Sequence, residues 1–158
     1  MQTFLPYSDY HQSMRSLDKY RLGNQVWREG VTIIRGGWKN HPASKMWKGH
    51  EYSLGQYLLA GCDVLDERKG VPGHYNELRD TIKLEMNKFP DTGMPSWIGS
   101  VDFHSSHRSN LLRKVTLAQQ SAEEKQTTAK IKKAVYLTAW YNQFGWNEPS
   151  TLPYVWPV

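Results

Sequence analysis

The sequence predicts an all-α fold, and three observations lead there. Apolar residues recur three and four positions apart over long stretches, as one face of a helix requires. Glycine and proline punctuate those stretches at helix-length intervals. No run alternates apolar and polar residues long enough to make a convincing strand. The chain has 158 residues, 39% of them hydrophobic. That is enough for one core. The expected architecture is a single compact domain over residues 1–158, with about five or six helices and an extended C-terminal tail.

Residues 1–8 read as extended and end in a turn from Pro6 to Ser8. Ser8 or Asp9 is placed to cap a short first helix. A longer helix is expected from about Ser16 to Ile34, with Leu22, Val26, Gly30 and Ile33 on its apolar face and Gly36-Gly37 as its stop. Residues 36–49 read as a polar and aromatic loop. A helix from about His50 to Leu65 buries Leu54, Tyr57, Leu58, Gly61 and Leu65. The next, about Tyr75 to Phe89, buries Leu78, Ile82, Met86 and Phe89. A helix from about Val101 to Val115 follows. A last one is expected to start near Ser121, where Ser121 and Glu124 have capping-box spacing, and to end near Gly145. Pro149 to Val158 carries three prolines with Tyr154 and Trp156, so it reads as an extended tail packed on the body.

Net charge is +5, with a sequence pI of about 9.3. Such an excess on a small domain fits a polyanion partner, of which nucleic acid is the commonest, and equally fits an ordinary basic protein. Seven Trp and nine Tyr accompany it. Several adjoin cations (Trp27-Arg28, Trp38-Lys39, Trp47-Lys48), a pairing that suits either base stacking or a core with its rim. The single cysteine, Cys62, excludes an intrachain disulfide and reads as core. No apolar run is long enough to span a membrane, and the first residues do not form a signal peptide. The expected setting is the cytoplasm.

Three groups of residues have chemistry to offer. Arg21, Gln25 and Arg28 fall on one helical face opposite the apolar stripe, beside Asn24, with Glu29 on the flank. They are a set for phosphates and base edges, or a solvated face. In Trp38-Lys39-Asn40-His41-Pro42 the proline holds His41 extended. That turn either aims a histidine or caps a helix from Asn40 or Ser44. Between 104 and 114, His104, Arg108 and Leu111 share one face, while His107, Asn110 and Lys114 share another. Such side chains bind phosphate well. No HExxH, CxxC or paired-carboxylate pattern supports a metal, and no nucleotide-binding glycine loop is present.

Five stretches together carry a family resemblance: MQTFLPY at the start, 17–25 (LDKYRLGNQ), Asn40-His41-Pro42, 106–114 (SHRSNLLRK) and the ending 152–158 (LPYVWPV). The chain resembles the pyrimidine-dimer DNA glycosylases, an endonuclease V-like family of short phage and bacterial proteins. The resemblance implies a compact all-α enzyme that needs no metal or organic cofactor. It implies that the N-terminal α-amine attacks sugar C1′ of a damaged pyrimidine, giving an imine, loss of the base and strand nicking by β-elimination, with a glutamate assisting. An α-amine titrates near 7.7–8.0, so roughly a tenth or more is neutral and nucleophilic at pH 7. Here the amine would be that of Met1, retained because Gln2 is bulky. The founding enzyme of the family has its catalytic glutamate where this chain has Leu22, and a DNA-binding arginine where it has Arg21.

The resulting expectations are specific. Met1, Glu29, His41 and His107 are the catalytic candidates. Arg21, Asn24, Gln25, Arg28, Trp38, Asn40, Trp47, Arg108, Asn110 and Lys114 are the DNA-binding candidates, with Trp38 or Trp47 stacking on a base flipped from a duplex. The substitution at Leu22 leaves two alternatives open. One is a phage enzyme that modifies DNA bases on the same scaffold, for example by amino-acid transfer to a modified thymine. The other is a DNA-binding protein without catalysis.

Overall fold

A computed structural model describes residues 2–157. Among them are seven helices and no strand. Helix α1 is Tyr10–Ser16. Helix α2 runs without interruption through Lys19–Gly23, the π-helical Asn24–Gly30 and Val31–Ile34. Then come α3, Pro42–Trp47, α4, Glu51–Lys69, α5, Asn76–Met86, α6, Val101–Lys125, and α7, Thr128–Asn142. The fold is all-α, as the periodicity predicts.

Local chemistry explains the boundaries. Asp9 caps α1, its carboxylate accepting from Gln12 N–H at 2.7 Å. The expected long second helix begins three residues late because Asp18 interrupts it. Asp18 is extended and caps α2, accepting from the N–H groups of Tyr20 and Arg21. Its other carboxylate oxygen accepts from the Tyr141 hydroxyl at 2.6 Å, which ties α2 to α7. The stretch read as a loop contains α3. His41 is its N-cap, with Nδ1 accepting from Ala43 N–H at 3.0 Å, and Pro42 occupies the first turn. Neither Asn40 nor Ser44 has that role.

The two C-terminal helices differ most from expectation. Ser121 does not cap a helix. It lies inside α6, whose Ala, Gln, Glu and Lys residues are strong helix formers. The chain turns instead at Gln126, which is left-handed (φ 50°), and Thr127 caps α7 by accepting from Lys130 N–H. Helices α6 and α7 therefore form a long hairpin, packed face to face.

Helix α4 is the centre of the molecule and touches α1, α2 and α5. Two glycines let α2 cross it closely. A Cβ at Gly30 would sit 2.1 Å from Leu58 Cδ2, and one at Gly61 would sit 2.4 Å from Val26 Cγ2. Helix separation depends on the side chains at the crossing, and these two positions carry none. One apolar cluster joins Leu5, Met14, Val26, Trp47, Leu58, Phe103, Leu137 and others. Cys62 is fully buried within it, as expected, and burial pushes its thiol up to about 12. After α7 the described residues form no helix or strand and run back along α6. No helix of the described residues is long and apolar enough to cross a membrane.

Candidate functional site

The N-terminal segment lies in a groove between helices, and side chains hold its backbone almost group by group. The peptide N–H of Gln2 donates to Glu29 Oε2 at 3.1 Å. The Gln2 carbonyl accepts from Gln25 Nε2 at 2.9 Å. Thr3 Oγ1 accepts from Trp47 Nε1 at 3.3 Å. Phe4 N–H donates to Gln25 Oε1 at 2.7 Å, and the Phe4 carbonyl lies 2.7 Å from the Tyr57 hydroxyl. Leu5 N–H donates to His107 Nδ1 at 3.0 Å. His104 Nε2 accepts from Gly99 N–H, so its Nδ1 carries the proton and donates to the Leu5 carbonyl at 2.7 Å. Arg108 Nη1 closes the series on the Pro6 carbonyl at 2.7 Å. Side chains of α2, α3, α4 and α6 thus replace the neighbouring strand that an extended segment ordinarily pairs with.

Glu29 is the acidic group at the start of this segment. It also accepts from Gln25 Nε2 at 2.9 Å. Burial raises its pKa above the usual carboxylate value, and the hydrogen bonds from Gln2 and Gln25 oppose that rise. The π-helical stretch contains both Gln25 and Glu29. A π-turn takes an extra residue, so the side chains after it are rotated relative to an unbroken α-helix, and such turns are frequent at functional sites. Gln25 points inward, three residues on from the buried Leu22, while Arg28 is exposed. Leu22, at the position of the family's usual glutamate, is buried in the core.

Glu29 opens onto a cleft of about 360 Å³ lined also by Asn24, Arg28, Thr32 and Trp38. Trp38 is 59% exposed and has φ 56°. A bulky residue in the left-handed region costs on the order of 1–3 kcal/mol. With this backbone the indole stands at the rim of the cleft instead of in the core. Four expected site residues (Asn24, Arg28, Glu29, Trp38) therefore do converge. Thr32 completes the lining, and nothing in the sequence marked it.

Other expected residues are placed elsewhere. Trp47 is a core residue, 1% exposed and stacked on Tyr57 at 5.7 Å, so neither face is open to a base. His107 is fully buried between Phe103, Tyr154 and Trp156. Its pKa falls to about 3 because burial disfavours the charged ring, with the neighbouring His104 adding to the effect. A ring so enclosed holds backbone rather than shuttling protons. His104 and His107 were assigned to different faces of their helix, yet residues three apart are neighbours, and both reach Leu5. His41 caps α3 and meets Trp156 edge-on at 6.2 Å; burial lowers its pKa. Asn40 is exposed in the turn before it. Arg108 binds Pro6, Ser105 and Glu148. Asn110 is buried and bonds to the carbonyls of Ser106 and Leu152. Arg21 pairs with Asp18 at 2.8 Å and shares a groove with Lys114. Met1 lies outside the described residues.

The tail lies over the same helix that reads the N-terminal segment. Arg113 holds the carbonyls of Ser150 and Leu152, Ser109 accepts from Leu152 N–H, and Ser106 accepts from Val155 N–H. The Tyr154 and Trp156 rings stack at 4.9 Å and cover His107. Much of the SHRSNLLRK stretch is thus occupied by the chain's own two ends. Among the described residues no group of His, Cys, Asp and Glu is arranged to hold a metal.

A family model described as pyrimidine dimer DNA glycosylase matches residues 1–81, just over half of the 158-residue chain. That stretch includes the N-terminal segment, α2 with Gln25 and Glu29, α3 and α4. No curated protein and no solved structure matches the chain.

Proposed function

The chain belongs to the pyrimidine dimer DNA glycosylase family, and on that premise we propose that it is a DNA glycosylase and lyase of one domain over residues 1–158, acting on a damaged or modified pyrimidine. The nucleophile in this reading is the α-amine of Met1, and Glu29 is its acid–base partner. One observation carries the proposal: Glu29 accepts the peptide N–H of Gln2, the bond that links Gln2 to Met1. Glu29 takes over the part that Leu22 cannot play.

The chemistry follows from those two groups. The neutral amine attacks C1′ of the damaged nucleoside. The C1′–N bond to the base breaks, and the base leaves with that electron pair. Glu29, as carboxylate, takes the proton that the amine loses and returns it to the sugar ring oxygen as the ring opens to an imine. Glu29, a carboxylate again, then takes a C2′ proton, the 3′ phosphate leaves by β-elimination with its C3′–O electron pair, and water hydrolyses the imine to release the enzyme. The raised pKa of Glu29 suits a group that must both accept and give a proton. Arg28 and Asn24 hold the strand at the cleft, and Trp38 stacks on an extruded base or fills the gap it leaves in the duplex.

Borohydride trapping tests the reading. Untagged protein is incubated with a duplex containing an abasic site and with an ultraviolet-irradiated duplex, reduced, and mapped by mass spectrometry. A covalent complex on Met1 with both substrates is the expected result. Failure to trap either, with DNA binding intact, would leave a DNA-binding protein without this catalysis.

A further inference from the structure

A second basic feature lies mostly outside the family-matched segment. Helices α6 and α7 enclose a groove of about 300 Å³ whose polar lining is Arg21, Lys114, Ser121, Lys130 and Lys133. Leu117, Ala118 and Leu137 form its floor. Among the described residues no carboxylate lines it. Arg21 has a partner in Asp18, but among the described residues none of the three lysines makes an ion pair with an acidic side chain.

The lysines are nevertheless held in place. Lys130 Nζ donates to Ser121 Oγ at 2.8 Å. Lys133 Nζ lies 4.9 Å from the centre of the Tyr20 ring. Tyr20 in turn meets Tyr136 edge-on at 5.8 Å, and the Tyr136 hydroxyl accepts from Lys19 N–H at 3.0 Å. Three lysines without an ion-pair partner around one groove repel one another and Arg21. Burial lowers the pKa of Lys114, Arg21 and Arg113 lower it further, and Glu29 opposes that fall. An anion in the groove would relieve that repulsion.

We propose that this groove is a phosphate track, in which Arg21, Lys114, Lys130 and Lys133 hold the DNA backbone a few nucleotides from the reacting one. The inference rests on the reading of Glu29 as the reaction centre, because that fixes the distance. Arg21 and Glu29 are eight residues apart on α2, at most about 12 Å, because the π-helical stretch between them rises less than the roughly 1.5 Å per residue of an α-helix. With a strand rise of about 3.4 Å per nucleotide, the groove meets the backbone within about three to four nucleotides of the lesion. The hairpin that the matched segment lacks thus extends the footprint of a site contained within it.

The test compares wild type with Lys130→Ala/Lys133→Ala, two exposed positions whose loss leaves the core intact. Binding to an abasic-site duplex is measured by fluorescence anisotropy over a range of salt. Each phosphate contact contributes about 0.9 to the slope of log affinity against log salt, so the double variant should lower the slope by nearly two. A control pair on α5 and beyond, Lys83→Ala/Lys88→Ala, should change it much less. Shortening the duplex on either side to less than about three nucleotides from the lesion should remove the difference between wild type and variant. An unchanged slope in the double variant, or a fall no larger than in the control pair, overturns the proposal. Trapping by wild type is scored separately. Loss of slope without any trapped complex would refute the glycosylase reading and leave the groove as a DNA contact.

Discussion

Gln25 is the side chain on which the placement of the N-terminal segment depends most, and Gln25→Leu measures that dependence. The amide makes four contacts: with Gln2 O, Phe4 N–H, Glu29 Oε2 and the Tyr57 hydroxyl. Leucine fills a similar volume and makes none. Glu29 keeps the Gln2 N–H, and Tyr57 keeps the Phe4 carbonyl. The Phe4 N–H and the Gln2 carbonyl lose their side-chain partners. A buried polar group left unsatisfied costs about 1–3 kcal/mol, and the Gln2 carbonyl, being part-buried, costs less. Together they amount to about 2–4 kcal/mol. For a chain of this size each kcal/mol moves Tm by about 2–4 °C, so the variant should melt about 4–16 °C lower. Peeling of the segment is a cheaper escape and would show as faster hydrogen exchange at Phe4 and Leu5, with a smaller change in Tm. Calorimetry and exchange mass spectrometry read both. A Tm within about 1 °C of wild type together with unchanged exchange would show that these bonds do not hold the segment.

Four further outcomes are expected. Glu29→Gln keeps an acceptor for Gln2 N–H but cannot carry the proton, so trapping on Met1 should slow by about 100-fold or more while DNA affinity changes little; equal trapping rates would remove Glu29 from the chemistry. Gln25→Glu sets two carboxylates against each other, which should raise the acid limb of the trapping profile above that of wild type; an unmoved limb would mean the two side chains no longer meet. His107 binds its proton near pH 3 when folded and near 6.5 when unfolded, so the unfolded chain holds more protons in between. Its contribution is complete above pH 6.5 and falls by up to about 1.4 kcal/mol per unit as pH drops toward 3; His107→Asn, which retains an acceptor for Leu5 N–H, should flatten that part of the curve in urea titrations. Arg108→Ala should lower Tm by several degrees through loss of the Pro6 and Glu148 contacts and leave the salt slope of DNA binding unchanged; a lower slope at constant Tm would return Arg108 to the DNA face.

The helical class and most helix positions follow from periods that a sequence displays directly. Leu54, Tyr57, Leu58 and Gly61 mark α4, and Leu78, Ile82 and Met86 mark α5, because each set lies on one face. Glu29, Asn24, Arg28 and Trp38 come together as neighbours on α2 and the turn after it, within a span that local geometry governs. Other features depend on contacts far along the chain. Gln25 reads as a surface residue when grouped with Arg21 and Arg28 by helical spacing, although Leu22 three positions earlier is its neighbour on the buried side, and its partners Gln2, Phe4 and Tyr57 lie far along the chain. His107, Arg108 and Asn110 are polar residues of the kind that bind phosphate, and their hydrogen bonds are made to backbone 100 and 40 residues away. A sequence shows donors and acceptors, but not whether the partner is a nucleic acid or the protein's own main chain. Lys130 and Lys133 were passed over because their groove exists only once α7 folds back along α6.

The side chains that grip residues 2–6 also set an order of assembly. Residues 5 and 6 are among the last to find their partners, since Leu5 waits for His104 and His107, and Pro6 waits for Arg108, about a hundred positions later. During synthesis this segment has Gln25 and Glu29 to meet well before the rest of its groove exists. The groove closes only after two thirds of the 158 residues have been made, so a chain cut short before α6 would lack the grip on its own beginning.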